Sequence, residues 1–376
     1  LRAQIGAINL AHTRLDELLD ERGEDLVAEV MSRSIDLAER QVRDFIRDLP
    51  DGEWTGEAYM DGVRVDDERI CRVALKLTCR GDRLHFDYSG SSDQVDAAVN
   101  STLPATVAGS AVPLYSFLCQ GDIDWNDGLK RCIEIAAPEG SVVNATYPAP
   151  VSISTVGFRW LVTVAATQAV ANMFNASDRY RDRTCPSWNS SSNCNNIFAE
   201  LPDGQRTGGL LSDHRGSGAA GRSFADGFHH AGTVTSYAGS LGNIEGAEWK
   251  FPIRYLYRRR MTDSAGAGRY RGGATSEVAF TPHGVDSIAL KLTNTAGTEQ
   301  TNAHGINGGY PGAGSQSALV RDADLSVLRG NAAAAPEMTA MGGELNWLPS
   351  KADEVIRTGD VYGFWAAGGG GFGDPL

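Results

Sequence analysis

Apolar residues in the first fifty positions recur every three or four places, the spacing that lays one stripe along an α-helix. Ile8, Ala11, Leu15 and Leu18 follow it up to Arg22, and Gly23 offers a stop. A second stripe runs through Val27, Val30, Met31, Leu37, Ala38, Phe45 and Leu49, with Asp25 placed to cap its start. Pro50-Asp51-Gly52 closes the pair as a turn. From 70 to 88 the period falls to two. Val73, Leu75 and Leu77 alternate with polar neighbours, Arg80-Gly81-Asp82 turns the chain, and Leu84, Phe86 and Tyr88 answer, the pattern of a β-hairpin. Residues 93–118 read as helical with interruptions at Pro104 and Pro113, 131–136 as a short strand and 138–140 as a turn. The apolar stretch 156–175 predicts a core helix.

Beyond 177 the periodicity fades. Residues 177–230 are rich in Ser, Asn, Gly and Asp and read as either a functional loop region or an insertion. Strand-like segments return at 278–280, 288–292, 317–320, 325–328 and 361–365. The expected fold class is α+β: an N-terminal helical pair, then mixed sheets, then a half rich in strands and glycine loops. Three units are expected. Residues 1–52 form a helical segment continuing an earlier domain, 53–230 an α+β domain around the 156–175 helix, and 231–376 a β-rich domain.

Composition sharpens this picture. Glycine supplies 44 of 376 residues, against roughly 7% in average usage, and it clusters late in the chain. A net charge of −13 argues against nucleic acid as a partner. It suits a soluble, cytoplasmic protein. No apolar run reaches membrane-spanning length, because Arg159, Thr163, Thr167 and Gln168 interrupt 156–171. Six cysteines in so long a chain do not make a disulfide scaffold and are expected as reduced, buried thiols. The chain opens on Leu1 inside a helical pattern and stops after a glycine turn, which is the expectation for a fragment.

Candidate chemistry concentrates in the second half. Residues 263–273 read Asp-Ser-Ala-Gly-Ala-Gly-Arg-Tyr-Arg-Gly-Gly. Asp263 and Ser264 open the loop, Gly266 and Gly268 let the backbone approach closely, and Arg269 and Arg271 offer forked donors for carboxylate or phosphate. Two readings stand: a nest of N–H groups around an anion, or a tight packing loop whose arginines bridge domains. Asn243, Glu245 and Glu248 form a second candidate, able to orient a substrate or share a proton. The alternative pairs Glu248 with one of Arg258, Arg259 or Arg260. Asn126, in Trp-Asn-Asp-Gly, is a pocket contact or simply a turn residue. His214, His229 and His230 lie near Asp213 and Asp226, yet neighbouring histidines seldom share one ion on regular structure, so no metal is expected here. Neither Gly-x-x-x-x-Gly-Lys-Ser/Thr nor Gly-x-Ser-x-Gly occurs.

Several segments taken in order carry a resemblance. They are Leu1-Arg2-Ala3-Gln4, Phe86-Asp87-Tyr88-Ser89-Gly90-Ser91, Asn126-Asp127-Gly128, Pro138-Glu139-Gly140-Ser141 and Pro148-Ala149-Pro150-Val151. Residues 216–219 with Asp226-Gly227, then Asn243/Glu245/Glu248, 263–273 and 368–375 complete the series. The chain resembles the hydantoinase B/oxoprolinase family. That resemblance implies a B-type subunit acting on cyclic amides such as hydantoins, lactams or 5-oxoproline. A separate A-type partner binds ATP and phosphorylates the substrate oxygen. It implies no cofactor on these residues, and a divalent metal on His and Asp motifs upstream of Leu1. Related ketone carboxylases act on acetone or acetophenone with bicarbonate and ATP. Asn243-x-Glu245-x-x-Glu248 followed by the basic run up to Met261 leans toward that branch. A scaffold subunit whose glycine loops dock the partner is the third possibility.

Overall fold

The computed structural model describes residues 1–67, 69–119, 123–188, 193–233, 241–294, 303–328 and 336–376. The two N-terminal stripes form helices α1 (Arg2–Arg22) and α2 (Glu24–Arg47). They part at Gly23, whose φ of 83° suits glycine. Gly23, not Asp25, is the N-cap of α2, and Asp25 lies in the first turn where the helix dipole favours a carboxylate. α1 buries none of its side chains, whereas α2 turns Ala38, Val42 and Ile46 into the core. Arg43 fixes α2 by pairing with Glu39 at 2.9 Å and Asp82 at 3.3 Å and donating to the Arg131 carbonyl at 2.9 Å.

The first sheet has the order β1 (Gly52–Asp61), β2 (Ile70–Arg80), β3 (Arg83–Asp87) and β4 (Ile133–Ala136). Its pairs are antiparallel except β3 with β4. The expected hairpin is β2–β3. Strand β1 also alternates, with Gly56, Ala58 and Met60 buried between Thr55, Glu57, Tyr59 and Asp61, but glycine and alanine make its inward face weakly apolar. Helix α3 (Leu103–Leu114) starts later than expected, after Asn100 has tied its side-chain amide to the Val95, Ala97 and Pro150 carbonyls. Pro113 brings no N–H to its last turn, and the chain continues as a π-turn over 115–119.

Helix α4 (Phe158–Asn175) packs on β1, β2 and α3 and is enclosed almost all round, which is why it shows no polar face. A Cβ on Gly56 would fall 2.0 Å from the Ala165 carbonyl oxygen, so glycine is what lets α4 touch β1. Gln168 then completes the strand edge. It accepts from the Glu57 N–H at 3.0 Å and donates to the Glu57 carbonyl at 2.8 Å.

The second half is built from two antiparallel sheets. One orders β11 (Glu344–Leu348), β10 (Gln316–Arg321), β13 (Val361–Trp365), β8 (Ser276–Pro282) and β7 (Ile253–Arg260). The other orders β12 (Lys351–Arg357), β9 (Ser287–Asn294), β5 (Asn193–Glu200) and β6 (Arg206–Leu210). Both contribute to one apolar cluster that includes Ile197, Phe280, Leu290, Leu319, Ile356 and Phe364. The hydroxyl of buried Tyr362 crosses it, 2.5 Å from Asn195 Oδ1 and 3.0 Å from Ser317 Oγ. Strands β5 and β6 lie within the stretch expected as loop or insertion, yet β6 pairs with β5 and β5 with β9, so the sheet crosses the expected 230/231 boundary. In β5, Asn193 and Asn195 are buried polar residues, and Asn193 donates to Ser317 Oγ at 2.8 Å. Residues 325–328, expected as a strand, form a 3₁₀ turn. No described helix is long and apolar enough to cross a membrane.

Between the two halves, segments 216–221, 264–273, 303–312 and 366–373 lie backbone against backbone. A Cβ on Gly218 would sit 1.7 Å from the Gly273 oxygen, one on Gly369 1.8 Å from the Ala219 oxygen, and one on Gly272 1.9 Å from the Gly369 oxygen. Short hydrogen bonds join the segments: Gly273 N–H to Ala219 O at 2.6 Å, Phe372 N–H to Tyr270 O at 2.8 Å, and Tyr310 N–H to Ala267 O at 2.7 Å. Ile306 and Phe372 carry this weave onto the core of the N-terminal half.

Gly218→Ala and Gly369→Ala are each expected to cost about 3 kcal/mol or more, since backbone must move. Gly6→Ala, in α1 with nothing within 4 Å of the added carbon, is expected to gain up to about 1 kcal/mol. Urea unfolding followed by tryptophan fluorescence checks the contrast; equal small changes in all three variants would contradict the close approach.

Candidate functional site

Where β7 ends at Arg260, the chain turns through Asp263 at a φ of 54° into the glycine loop and walls a cavity of about 450 Å³. Its lining includes His229, Arg260, Asp263, Ser264, Gly268 and Arg271. Much of the loop's backbone is engaged in packing. The amides of Gly266, Arg269, Tyr270, Gly272 and Gly273 each donate to a backbone carbonyl. Packing engages these five donors; the amides of Ala265, Ala267 and Gly268, residues that also line the cavity, are not among them. Ser264 is likewise spent: its buried hydroxyl donates to Met261 O at 2.9 Å and accepts from Thr275 N–H at 3.0 Å. Gly266 serves proximity, with a Cβ there falling 2.3 Å from the Tyr310 oxygen.

Side chains add charge to the same wall. Arg271 pairs with Asp226 at 3.2 Å, and both are more than half exposed. An exposed pair of this kind is worth little and is easily exchanged for another anion. Arg260 is exposed and makes no ion pair among the described residues. His229 accepts the Ala274 N–H on Nδ1 at 2.8 Å, so its neutral ring carries the proton on Nε2. Burial first, then the Arg260 and Arg271 charges, hold this imidazole below its ordinary range. Two guanidiniums and an imidazole N–H around one cavity, with the Asp263 carboxylate on the wall, suit a small anion or a developing oxyanion.

The other sequence candidates lie elsewhere. Asn243 is the N-cap of helix α5 (Ile244–Lys250) and accepts from Gly246 N–H at 3.1 Å. Glu248 accepts the Tyr255 N–H at 2.7 Å, and Glu245 is exposed in the first helical turn. Glu248 does not pair with the basic run. Arg258 meets buried Asp213 at 2.5 Å, and Arg259 meets Glu277 at 2.8 Å. Asn126 docks its turn on α2, donating to Ser34 O at 3.1 Å and accepting Gly128 N–H at 2.8 Å. Arg269 stays outside the cavity, exposed, 5.8 Å from the Tyr270 ring centre. The structure thus gathers Asp263, Ser264, Gly268 and Arg271 at one place and leaves Asn126, Asn243, Glu245 and Glu248 in capping and turn roles. Sequence reasoning missed Arg260 and undervalued His229. The one signal for Arg260 was its position at the end of a basic strand leading into the loop.

Among the described residues no three His, Cys, Asp or Glu side chains converge as metal ligands. His229 already spends Nδ1 on an amide, and the His214 side chain lies outside the described residues. These residues do not fit a divalent cation, and no step is derived through one. The six cysteines are thiols, and burial pushes Cys79, Cys119 and Cys132 up to about 11, away from nucleophilic use.

Known proteins share this frame. The model of the family described as hydantoinase B/oxoprolinase matches residues 1–375. The beta subunit of caprolactamase from Pseudomonas jessenii is 30% identical over 75% of the chain, which covers 48% of that subunit. The delta subunit of acetophenone carboxylase from Aromatoleum aromaticum is 24% identical over 100% of the chain and 56% of its own length. The crystal structure of ATP-dependent caprolactamase from Pseudomonas jessenii superimposes with a TM-score of 0.81 at 25% identity, covering 100% of the chain and 61% of the solved one. The chain therefore spans about half to three fifths of these relatives.

Acid should loosen the seam that holds this site. Burial lowers the affinity of His229, His230 and His304 for protons below the ordinary 6.5. The unfolded chain then binds more protons than the folded one as pH falls through that value, so stability falls with it. The thermal midpoint is expected to drop between about pH 7 and about pH 5.5, and His304→Gln to flatten that slope. A midpoint independent of pH across this window would contradict the burial of these rings.

Proposed function

This chain belongs to the hydantoinase B/oxoprolinase family, and we propose that it forms scaffold and pocket wall of an ATP-dependent hydrolase of cyclic amides. It would act with an ATP-binding A-type partner in the cytoplasm. The sequence has no phosphate-loop motif of its own, in keeping with nucleotide bound on the partner. The observation that carries the reading is the cavity of Arg260, Arg271 and His229 in a chain whose relatives include a caprolactamase subunit. An amide ring becomes a better electrophile once its oxygen is phosphorylated, and the activated species is an anion. Arg260 and Arg271 would meet that charge. The Nε2–H of His229 would donate to the oxygen on which charge builds.

A ketone carboxylase subunit is the second reading, favoured by the acetophenone carboxylase relative along the whole chain. Bicarbonate is also an anion and suits the same cavity. The leaning drawn from Asn243, Glu245 and Glu248 no longer separates the two, because a helix cap and an amide acceptor fit either branch. In the docking reading, the glycine segments serve mainly to seat the partner.

The complex purified with its A-type partner is expected to open ε-caprolactam, hydantoin or 5-oxoproline only with ATP. Arg271→Ala should lower kcat by about 10²-fold while leaving co-purification intact. Unchanged turnover in this variant would remove the arginine from the mechanism. Loss of co-purification would instead favour docking, and label fixed from bicarbonate into a ketone would replace the hydrolase with the carboxylase.

A further inference from the structure

A second cavity of about 480 Å³ shares no lining residue with the first. Segment 222–229 contributes to both, placing Arg222 and Phe224 on one and His229 on the other. The second cavity is walled by the α3 end and π-turn (Tyr115, Phe117), by 182–186 with Trp188, and by Arg222 and Phe224. Most of that wall is apolar or aromatic. Cys185 adds to it as a neutral thiol, since burial pushes it up to about 12.

Two guanidiniums stand in this apolar surround, and the one lining carboxylate, Asp182, is exposed. Arg183 lies 5.3 Å from the Phe45 ring centre and 5.4 Å from that of Tyr180. Arg222 lies 4.6 Å from the Phe228 ring centre and 5.1 Å from that of Phe224. Its Nη2 donates to the Asp226 carbonyl at 3.1 Å. The Asp226 carboxylate itself is turned away toward Arg271. Among the described residues buried Arg222 Nε has no hydrogen-bond partner, and no carboxylate pairs with this arginine. A cation held by rings and one carbonyl on the wall of an open, largely apolar cavity offers its charge to an acceptor there.

We infer that this cavity binds a small monocarboxylate carrying a ring or short alkyl body. The carboxylate meets the Arg222 fork and the body lies among Tyr115, Phe117, Trp188 and Phe224. A guanidinium matches a carboxylate in planar geometry, and the aromatic wall covers the apolar body attached to it. Inorganic phosphate fits less well, because shedding its water demands more donors than the wall supplies. The inference rests on the lining alone and stands whichever reaction the family role proves to be.

Benzoate titrated into the purified protein by calorimetry is the test, with benzamide and inorganic phosphate as the uncharged and non-carboxylate probes. Benzoate is expected to bind with one site and to change tryptophan fluorescence, and Trp188→Phe to remove most of that change. Arg222→Gln is expected to weaken benzoate by about tenfold or more, the equivalent of one charge-assisted hydrogen bond. Should Arg222→Gln not fold, Phe224→Leu, at an exposed position, is expected to weaken benzoate while leaving the thermal midpoint in place. A 6-aminohexanoate arm separates sources: tighter than benzoate, it marks a ring-opened amide; weaker, an apolar acid. Benzamide or phosphate binding as well as benzoate, or benzoate binding unaffected by both variants, would overturn the inference.

Discussion

Everything distinctive in this molecule depends on backbone approaching backbone more closely than any side chain allows. At Gly218, Gly272, Gly273 and Gly369 an added carbon would lie within 2 Å of a carbonyl oxygen on another segment. Such contacts hold four irregular segments together without a strand among them, and their amides are satisfied by one another rather than by water. The abundance of glycine in the second half is thus a packing requirement before it is a sign of mobility. Because Ile306 and Phe372 belong both to this weave and to the N-terminal core, the weave also fixes how the two halves meet.

That constraint divides the chemistry. Amides spent on carbonyls cannot bind a ligand, and charged side chains stand at the weave's margin. Segment 222–229 is the pivot. Arg222 leans on Phe224 and Phe228, the Asp226 carbonyl accepts a hydrogen bond from Arg222, and the Asp226 carboxylate holds Arg271. One turn therefore sets a cation beside each of two cavities. The exposed Arg271–Asp226 pair contributes little to stability, which leaves the arginine able to exchange its partner.

The residues themselves disclosed much of this, unevenly. Helices α2 and α4 and the β2–β3 hairpin declared their periods because each buries one face or all faces. Strand β1 did so only weakly, since Gly56 and Ala58 give its buried face little apolar bulk. Strand β5 did not, since Asn193 and Asn195 make buried hydrogen bonds instead of supplying apolar side chains, and β6 buries none of its residues. Motif order along the chain disclosed the family, which the family model bears out over 1–375. Five amides of the glycine loop bond as its packing alternative expects, but its arginines meet Asp226 and the Tyr270 ring. Whether a glycine amide is free or taken depends on Ala219, Tyr310 and Phe372, all distant in sequence, and no local pattern carries that information. For the same reason Glu248 read as a possible acid when its partner is the Tyr255 amide.

Amide-resolved hydrogen exchange tests the central claim most directly. Gly266, Gly272, Gly273, Gly369 and Phe372, though outside any strand, are predicted to exchange as slowly as the buried strand β8. Exchange of these amides at the rate of an open surface loop would contradict the close-packed weave.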